Sequence, residues 1–186
     1  SCVSGFSTSN AVTRPRIRSR NASTTSPPST SALIATPLVV NVPAPGEPGA
    51  ETWSQPEGYP VGGGGVWTAP TLDPERELIY VATGNPAPDF PAALRGGTNL
   101  YTNSVVALNA RTGKLAWYQQ MVPSDSHDWD LTHASPLYRS TVGGRERKML
   151  GTVGKDGILR ALDRDSQARV FETPVTTIEN ATAPVT

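Results

Sequence analysis

Eleven residues, Ala107-Leu108-Asn109-Ala110-Arg111-Thr112-Gly113-Lys114-Leu115-Ala116-Trp117, align without gaps on Ala161-Leu162-Asp163-Arg164-Asp165-Ser166-Gln167-Ala168-Arg169-Val170-Phe171, 54 positions further on. Each copy reads as a strand, a polar turn built from Asn or Asp with Thr or Ser, and a second strand that begins near a large aromatic, which is hairpin chemistry. Another strand pair precedes each copy, from Trp67 to Gly84 and from His133 to Gly154. Four short strands per repeat, at a spacing close to the roughly 40 to 50 residues of known blades, predict a β-propeller. Closing a ring takes typically about four to eight blades, and an open pair leaves sheet edges unpaired. The sequence therefore reads as a fragment of about two blades.

The strands expected from β-branched runs are Val66–Leu72, Leu78–Thr83, Ser104–Asn109, Leu115–Gln119, Ser135–Tyr138, Met149–Val153, Ile158–Asp163 and Val170–Thr173. No apolar period of 3.6 residues persists far enough to specify a helix, so the fold class is all-β. Residues 1–42 differ in texture: Ser, Thr and Pro dominate, Arg14, Arg16, Arg18 and Arg20 are the charges, and no acid occurs. A segment of this kind buries too little apolar surface to fold, which predicts a disordered stretch ahead of a domain at 43–186.

Symmetry between the repeats points to a site. Thr83-Gly84-Asn85 aligns with Val153-Gly154-Lys155, and Trp67-Thr68-Ala69-Pro70 with His133-Ala134-Ser135-Pro136. Equivalent positions on inner strands face the same end of a propeller axis, so Asn85 and Lys155 are expected to look at a common centre. Asn85 on its own also suits a turn before Pro86, and Lys155 a hairpin turn in Gly154-Lys155-Asp156-Gly157.

The ordered motifs GGGGVWTAPTLDP, ATGNPAP, RGGTNLYTNSVVALNARTGKLAWYQ, PSDSHDWD and GKDGILRALDR, preceded by PAPGEPGAETW, resemble those of the quinoprotein alcohol dehydrogenases. These are eight-bladed propellers that bind pyrroloquinoline quinone and calcium on their axis. The resemblance runs from about Pro43 to Phe171 and implies a fold, a reaction and a set of residues. A flat quinone needs a ring to lie on, and Trp67 matches the family's platform. Calcium takes oxygen ligands, and Asn85 matches the family's asparagine ligand. The family's glutamate ligand, well upstream of Trp67, has no counterpart.

The family signature His-Asp-x-Trp-Asp-Tyr-Asp spaces its acids as Asp125, Asp128 and Asp130 are spaced here. Ser124, His127 and Trp129 replace its other members. Ungapped counting puts Asp128 on the catalytic base, which also lies close to the metal. Keeping the Trp-Asp dipeptide together nominates Asp130 instead. A base in this place couples removal of the hydroxyl proton to hydride departure. Lys155 matches the family's cation beside the quinone oxygens, where it stabilises the charge that hydride brings.

The resemblance thus implies oxidation of an alcohol or sugar hydroxyl, with electrons passing to a cytochrome or membrane quinone, in an exported and periplasmic setting. The competing reading is a binding or scaffold propeller that has lost the cofactor, like the outer-membrane assembly lipoproteins. Lys plus Arg balance Asp plus Glu at 16 each, so no long-range field recruits nucleic acid.

Overall fold

The computed structural model describes residues 42–54, 61–134, 136–179 and 181–183. The Ser/Thr/Pro/Arg-rich segment expected at 1–42 lies outside them apart from Val42, as does Ser135. Among the described residues, eleven strands follow in chain order. They are β1 (Gly62–Gly63), β2 (Thr71–Asp73), β3 (Leu78–Ala82), β4 (Pro86–Ala87), β5 (Ser104–Asn109), β6 (Leu115–Gln120), β7 (Leu131–His133), β8 (Leu137–Val142), β9 (Arg145–Gly154), β10 (Ile158–Asp163) and β11 (Arg169–Pro174). Single 3-10 turns at Ala50–Thr52 and Ala92–Arg95 are the helical elements among the described residues.

Two antiparallel blades result. The first has the order β2-β3-β5-β6; in the second β7-β9-β10-β11 run in order, with β8 also paired to β9. β7 pairs with the end of β9 and β8 with its beginning, so they are two pieces of one innermost strand. Pro136, which has no N–H to give to the ladder, stands in the break.

The repeat is exact down to its irregularities. A bulge falls between Ala107 and Leu108 in one hairpin and between Ala161 and Leu162 in the other. At the turns, Asn109 Oδ1 accepts from the N–H groups of Arg111 (3.0 Å) and Thr112 (2.9 Å). Asp163 Oδ1 does the same for Asp165 (2.8 Å) and Ser166 (3.0 Å). Each turn then needs a left-handed residue, Gly113 (φ 70°) in the first copy and Gln167 (φ 62°) in the second.

Three strand expectations are corrected. The strand expected at Ser135–Tyr138 is found among the described residues as Leu137–Val142, and β7 at Leu131–His133 precedes it unexpectedly. Of Val66–Leu72 only Thr71 and Leu72 are extended in the sheet, because the residues before them serve other partners. Gly65 O accepts from Gly84 N and Gly64 N donates to Asn85 O, both at 2.8 Å, while Pro70 offers no donor. The strand expected from Met149 starts at Arg145, since Gly143 (φ 60°) and Gly144 (φ 75°) make a tight two-residue hairpin with β8. Gly-Gly is the signal for that turn.

The core lies between the blades. Tyr80, Ala82, Val105, Ala107 and Trp117 of the first meet Leu131, Leu150 and Leu162 of the second in one buried cluster. Each of those leucines contributes about 1.5–3 kcal/mol by leaving water. A buried ion pair crosses the same interface: Arg164 Nη1 donates to Asp73 Oδ2 at 2.5 Å, and Tyr80 Oη donates to that oxygen at 3.0 Å. Burial pushes the Asp73 carboxyl up, but Arg164, Tyr80 and Arg76 outweigh it and hold it below the usual range. Packing and charge together fix how the two inner strand ends face each other.

Candidate active site

The chain leaves β3 at Thr83-Gly84-Asn85 and leaves β9 at Gly154-Lys155, the same edge of two adjacent blades. Asp130, immediately before β7, joins them. Its Oδ1 accepts the Asn85 N–H at 2.8 Å, and its carbonyl accepts the Lys155 N–H at 2.9 Å. Its Oδ2 lies 2.6 Å from Lys155 Nζ, an ion pair whose angle is poor for a hydrogen bond. Asp130 is fully buried. Asn85 through its main chain and Lys155 through its main chain and ammonium thus both meet the Asp130 residue, while the Asn85 amide Nδ2 donates to Pro86 O at 3.2 Å.

Asp128 sits at the rim. Its side chain is 38% exposed, its backbone is left-handed (φ 59°), and its Oδ2 is 3.0 Å from Lys155 Nζ. One ammonium thus serves two carboxylates. Asp130 first, and then Asp128, raise the Lys155 pKa above its ordinary value against the opposing effect of burial, so the amine stays charged. The same ammonium stands 4.9 Å from the centroid of the Trp67 ring, which is 62% exposed. Cation–π attraction favours that placement.

All five residues expected from the sequence, Trp67, Asn85, Asp128, Asp130 and Lys155, fall in this one cluster. Asp125, the first acid of the triplet, does not: its carboxylate is buried and taken up by Asn103 and by the peptides of His127 and Trp129. Gly84 is a member that the sequence reading passed over except as a point of alignment. A Cβ there would overlap Asp130 Oδ1 and come within 2.9 Å of Trp67 Nε1. The recurrence of a glycine before both Asn85 and Lys155 was the available signal.

An exposed indole beside a glycine cradle and a lysine suits a planar, anionic group such as a quinone carboxylate. A hard divalent cation is less well served. Asn85, Asp128 and Asp130 offer side-chain oxygens, but such ions take roughly six to eight. No group of three or more His, Cys, Asp or Glu suited to a metal occurs among the described residues.

Comparison with known proteins gives the family of the fold. The family model described as "PQQ: Glucose/ethanol/alcohol dehydrogenase, beta-propeller domain" matches residues 41–185. The quinohemoprotein alcohol dehydrogenase ADH IIB of Pseudomonas putida is 41% identical over 119 residues, 62% of this chain and 17% of that protein. Among solved structures, the quinohemoprotein alcohol dehydrogenase of Comamonas testosteroni superposes with a TM-score of 0.60 at 34% identity, covering 65% of this chain and 18% of that one. A europium-containing methanol dehydrogenase gives a TM-score of 0.63 at 31% identity, covering 74% and 23%. The chain thus spans about a sixth to a quarter of the length of these relatives. Its motifs, its two blades and the match along almost all of its described length make it a member of the pyrroloquinoline-quinone-dependent alcohol dehydrogenase β-propeller family.

Proposed function

We propose that this chain supplies two blades and part of the active site of a quinoprotein dehydrogenase that oxidises an alcohol or sugar hydroxyl. The observation that carries the reading is the meeting of Trp67, Asn85, Asp128, Asp130 and Lys155 at one end of two blades. Pyrroloquinoline quinone, when bound, accepts a hydride. Trp67 offers its open face to that ring, and Lys155 offers a permanent positive charge to oxygens that become negative. Asp128, half exposed beside Lys155, is the carboxylate reachable by a substrate hydroxyl and takes its proton; Asp130, wholly buried, is the alternative base. Asn85 and these carboxylates would hold calcium, with the remaining ligands coming from outside the described residues. Electrons leave for a cytochrome or a membrane quinone, in the periplasm.

The test is reconstitution of the full-length protein carrying this chain with quinone and calcium, followed by dye reduction on a panel of alcohols and sugars. Alcohol-dependent turnover that falls when Asp128 or Asp130 becomes Asn supports the reading. Absence of turnover with every substrate, despite bound quinone, sinks it.

One observation favours the scaffold reading. Lys155 is already neutralised by two aspartates and already covers Trp67, so the cluster is electrostatically closed on its own. Quinone titration separates the two, because a scaffold shows no saturable binding.

A further inference from the structure

The motif Arg95–Ser104 has no part in the cluster just described, yet it is among the most deeply buried polar stretches in the molecule. Arg95, Asn99, Thr102, Asn103 and Ser104 are each at 0% exposure. Burying a guanidinium is costly unless its donors are satisfied, so each contact of Arg95 is informative. Its Nε donates to Pro88 O (2.6 Å), Nη1 to Asn99 Oδ1 (2.9 Å), and Nη2 to Asp89 O (2.7 Å) and to Asp125 O. No carboxylate is hydrogen-bonded to it among the described residues; its job is to gather carbonyls from three loops.

Asp125 continues the chain of contacts. Its Oδ1 accepts the His127 N–H at 2.8 Å, and its Oδ2 accepts the Trp129 N–H at 2.7 Å and Asn103 Nδ2 at 2.9 Å. The two anchored peptides flank Asp128 and lead directly into Asp130. Asp128 has φ 59°, a conformation that costs a non-glycine residue roughly 1–2 kcal/mol and persists where its surroundings impose it. Stacking of the His127 and Trp129 rings, 4.3 Å between centroids, closes the turn on its other side.

We infer that Asp125, seated by Arg95 and Asn103, is the positioning residue that aims Asp128 and Asp130 at the substrate and at Lys155. The inference rests on the proposed function for the word substrate, but the geometry of the turn stands without it. Three donors converge on the Asp125 carboxylate, and an amide has a single acceptor oxygen, so Asp125→Asn frees at least one anchored N–H. A displacement of about an ångström at a reacting group costs on the order of a hundred-fold in rate.

The experiment compares wild type, Asp125→Asn and Arg95→Lys in the full-length, quinone-loaded protein, with backbone amide exchange measured in parallel. Arg95→Lys keeps the charge but cannot reach four acceptors. It carries the test if Asp125→Asn does not fold. Expected are a fall in kcat per bound quinone of roughly ten- to a hundred-fold, with substrate KM and quinone affinity changed less than about three-fold, and faster exchange at His127, at Trp129 or at both. A kcat per bound quinone within about two-fold of wild type overturns the inference. So does a fall in kcat with unchanged exchange at those two amides. If wild type neither binds quinone nor turns over, the proposed function fails, and exchange alone decides the positioning role: protection lost in Asp125→Asn upholds it, protection unchanged overturns it.

Discussion

Asp130 and Lys155 hold each other twice, through a 2.9 Å bond between main-chain groups and a 2.6 Å ion pair between side chains. The pair joins the start of the second blade's innermost strand to the end of its neighbour. Asn85, from the first blade, donates its N–H to the same carboxylate. Replacing Lys155 by Met leaves a buried charge with one hydrogen bond to neutralise it, and destabilises the protein by about 1–3 kcal/mol. Adding Asp130→Asn removes the orphaned charge and recovers most of that loss. Because Asp130 and Asp128 raise the Lys155 pKa, the stabilisation is complete below the unfolded lysine value of about 10.4 and is lost as pH rises through the higher folded value. Urea midpoints of wild type and Lys155→Met should therefore converge as the solution becomes strongly alkaline.

Arg164 and Asp73 tie the blades together from inside, with side chains 7% and 1% exposed. Breaking one half of such a pair costs about 3–5 kcal/mol, because the partner stays buried and charged. Asp73→Asn is expected to lose that much in urea unfolding, since it leaves the Arg164 guanidinium buried with no other side-chain partner among the described residues, and Arg164→Met to lose less, since Arg76 and Tyr80 still serve the Asp73 carboxylate. Equal losses for the two single variants would mean that Arg76 and Tyr80 do not compensate the Asp73 carboxylate once Arg164 is gone.

The hairpin of the repeat was legible because its chemistry is local: Asn109 or Asp163 caps a turn two and three residues on, and the aromatic at Trp117 or Phe171 recurs with it. That the main chains at Asn85 and Lys155 leave adjacent blades at the same edge was legible from symmetry. What the sequence did not reveal is Asp130 as the atom-level link between them, because no periodicity ties a residue before β7 to the ends of β3 and β9. The split of Leu131–Val142 into two strands escaped for another reason. Alternation identifies extended chain, whereas register depends on the partner, and β9 proved longer than its apolar stretch.

Asp163 gives the acid limb. The Ser166 N–H, then Arg147 and the Asp165 N–H, outweigh burial and lower its carboxyl to about 2. Against an unfolded value near 3.9, this contributes roughly 2 kcal/mol that is fully present above about pH 4 and is lost as pH falls through about 2. Asp163→Asn should unfold more readily than wild type at neutral pH, and the gap should close on acidification across that window.

Gln167 occupies the left-handed place that Gly113 fills in the other repeat, at φ 62° against 70°. Its carbonyl accepts from Gln119 Nε2, and that bond survives loss of the side chain. Gln167→Gly is expected to raise stability by about 0.5–1 kcal/mol, strain relief exceeding the added freedom of the unfolded chain. A calorimetric Tm that falls instead would show that the turn tolerates glutamine without strain.

Gly84 offers the sharpest separation of site from scaffold. Its φ lies outside the left-handed region, so alanine brings no backbone strain, only a methyl group pressed on Asp130 Oδ1 and Trp67 Nε1. Those atoms belong to the carboxylate at the centre of the cluster and to the ring beside Lys155. Gly62 is the matched control, with nothing within 4 Å of an added Cβ. In the full-length protein, Gly84→Ala should weaken quinone binding by at least about ten-fold, roughly 1.4 kcal/mol, while Gly62→Ala leaves it unchanged. Trp67 is exposed enough for its fluorescence to report the titration. If both variants bind quinone as wild type does, the cradle beside Trp67 is not where the cofactor lies.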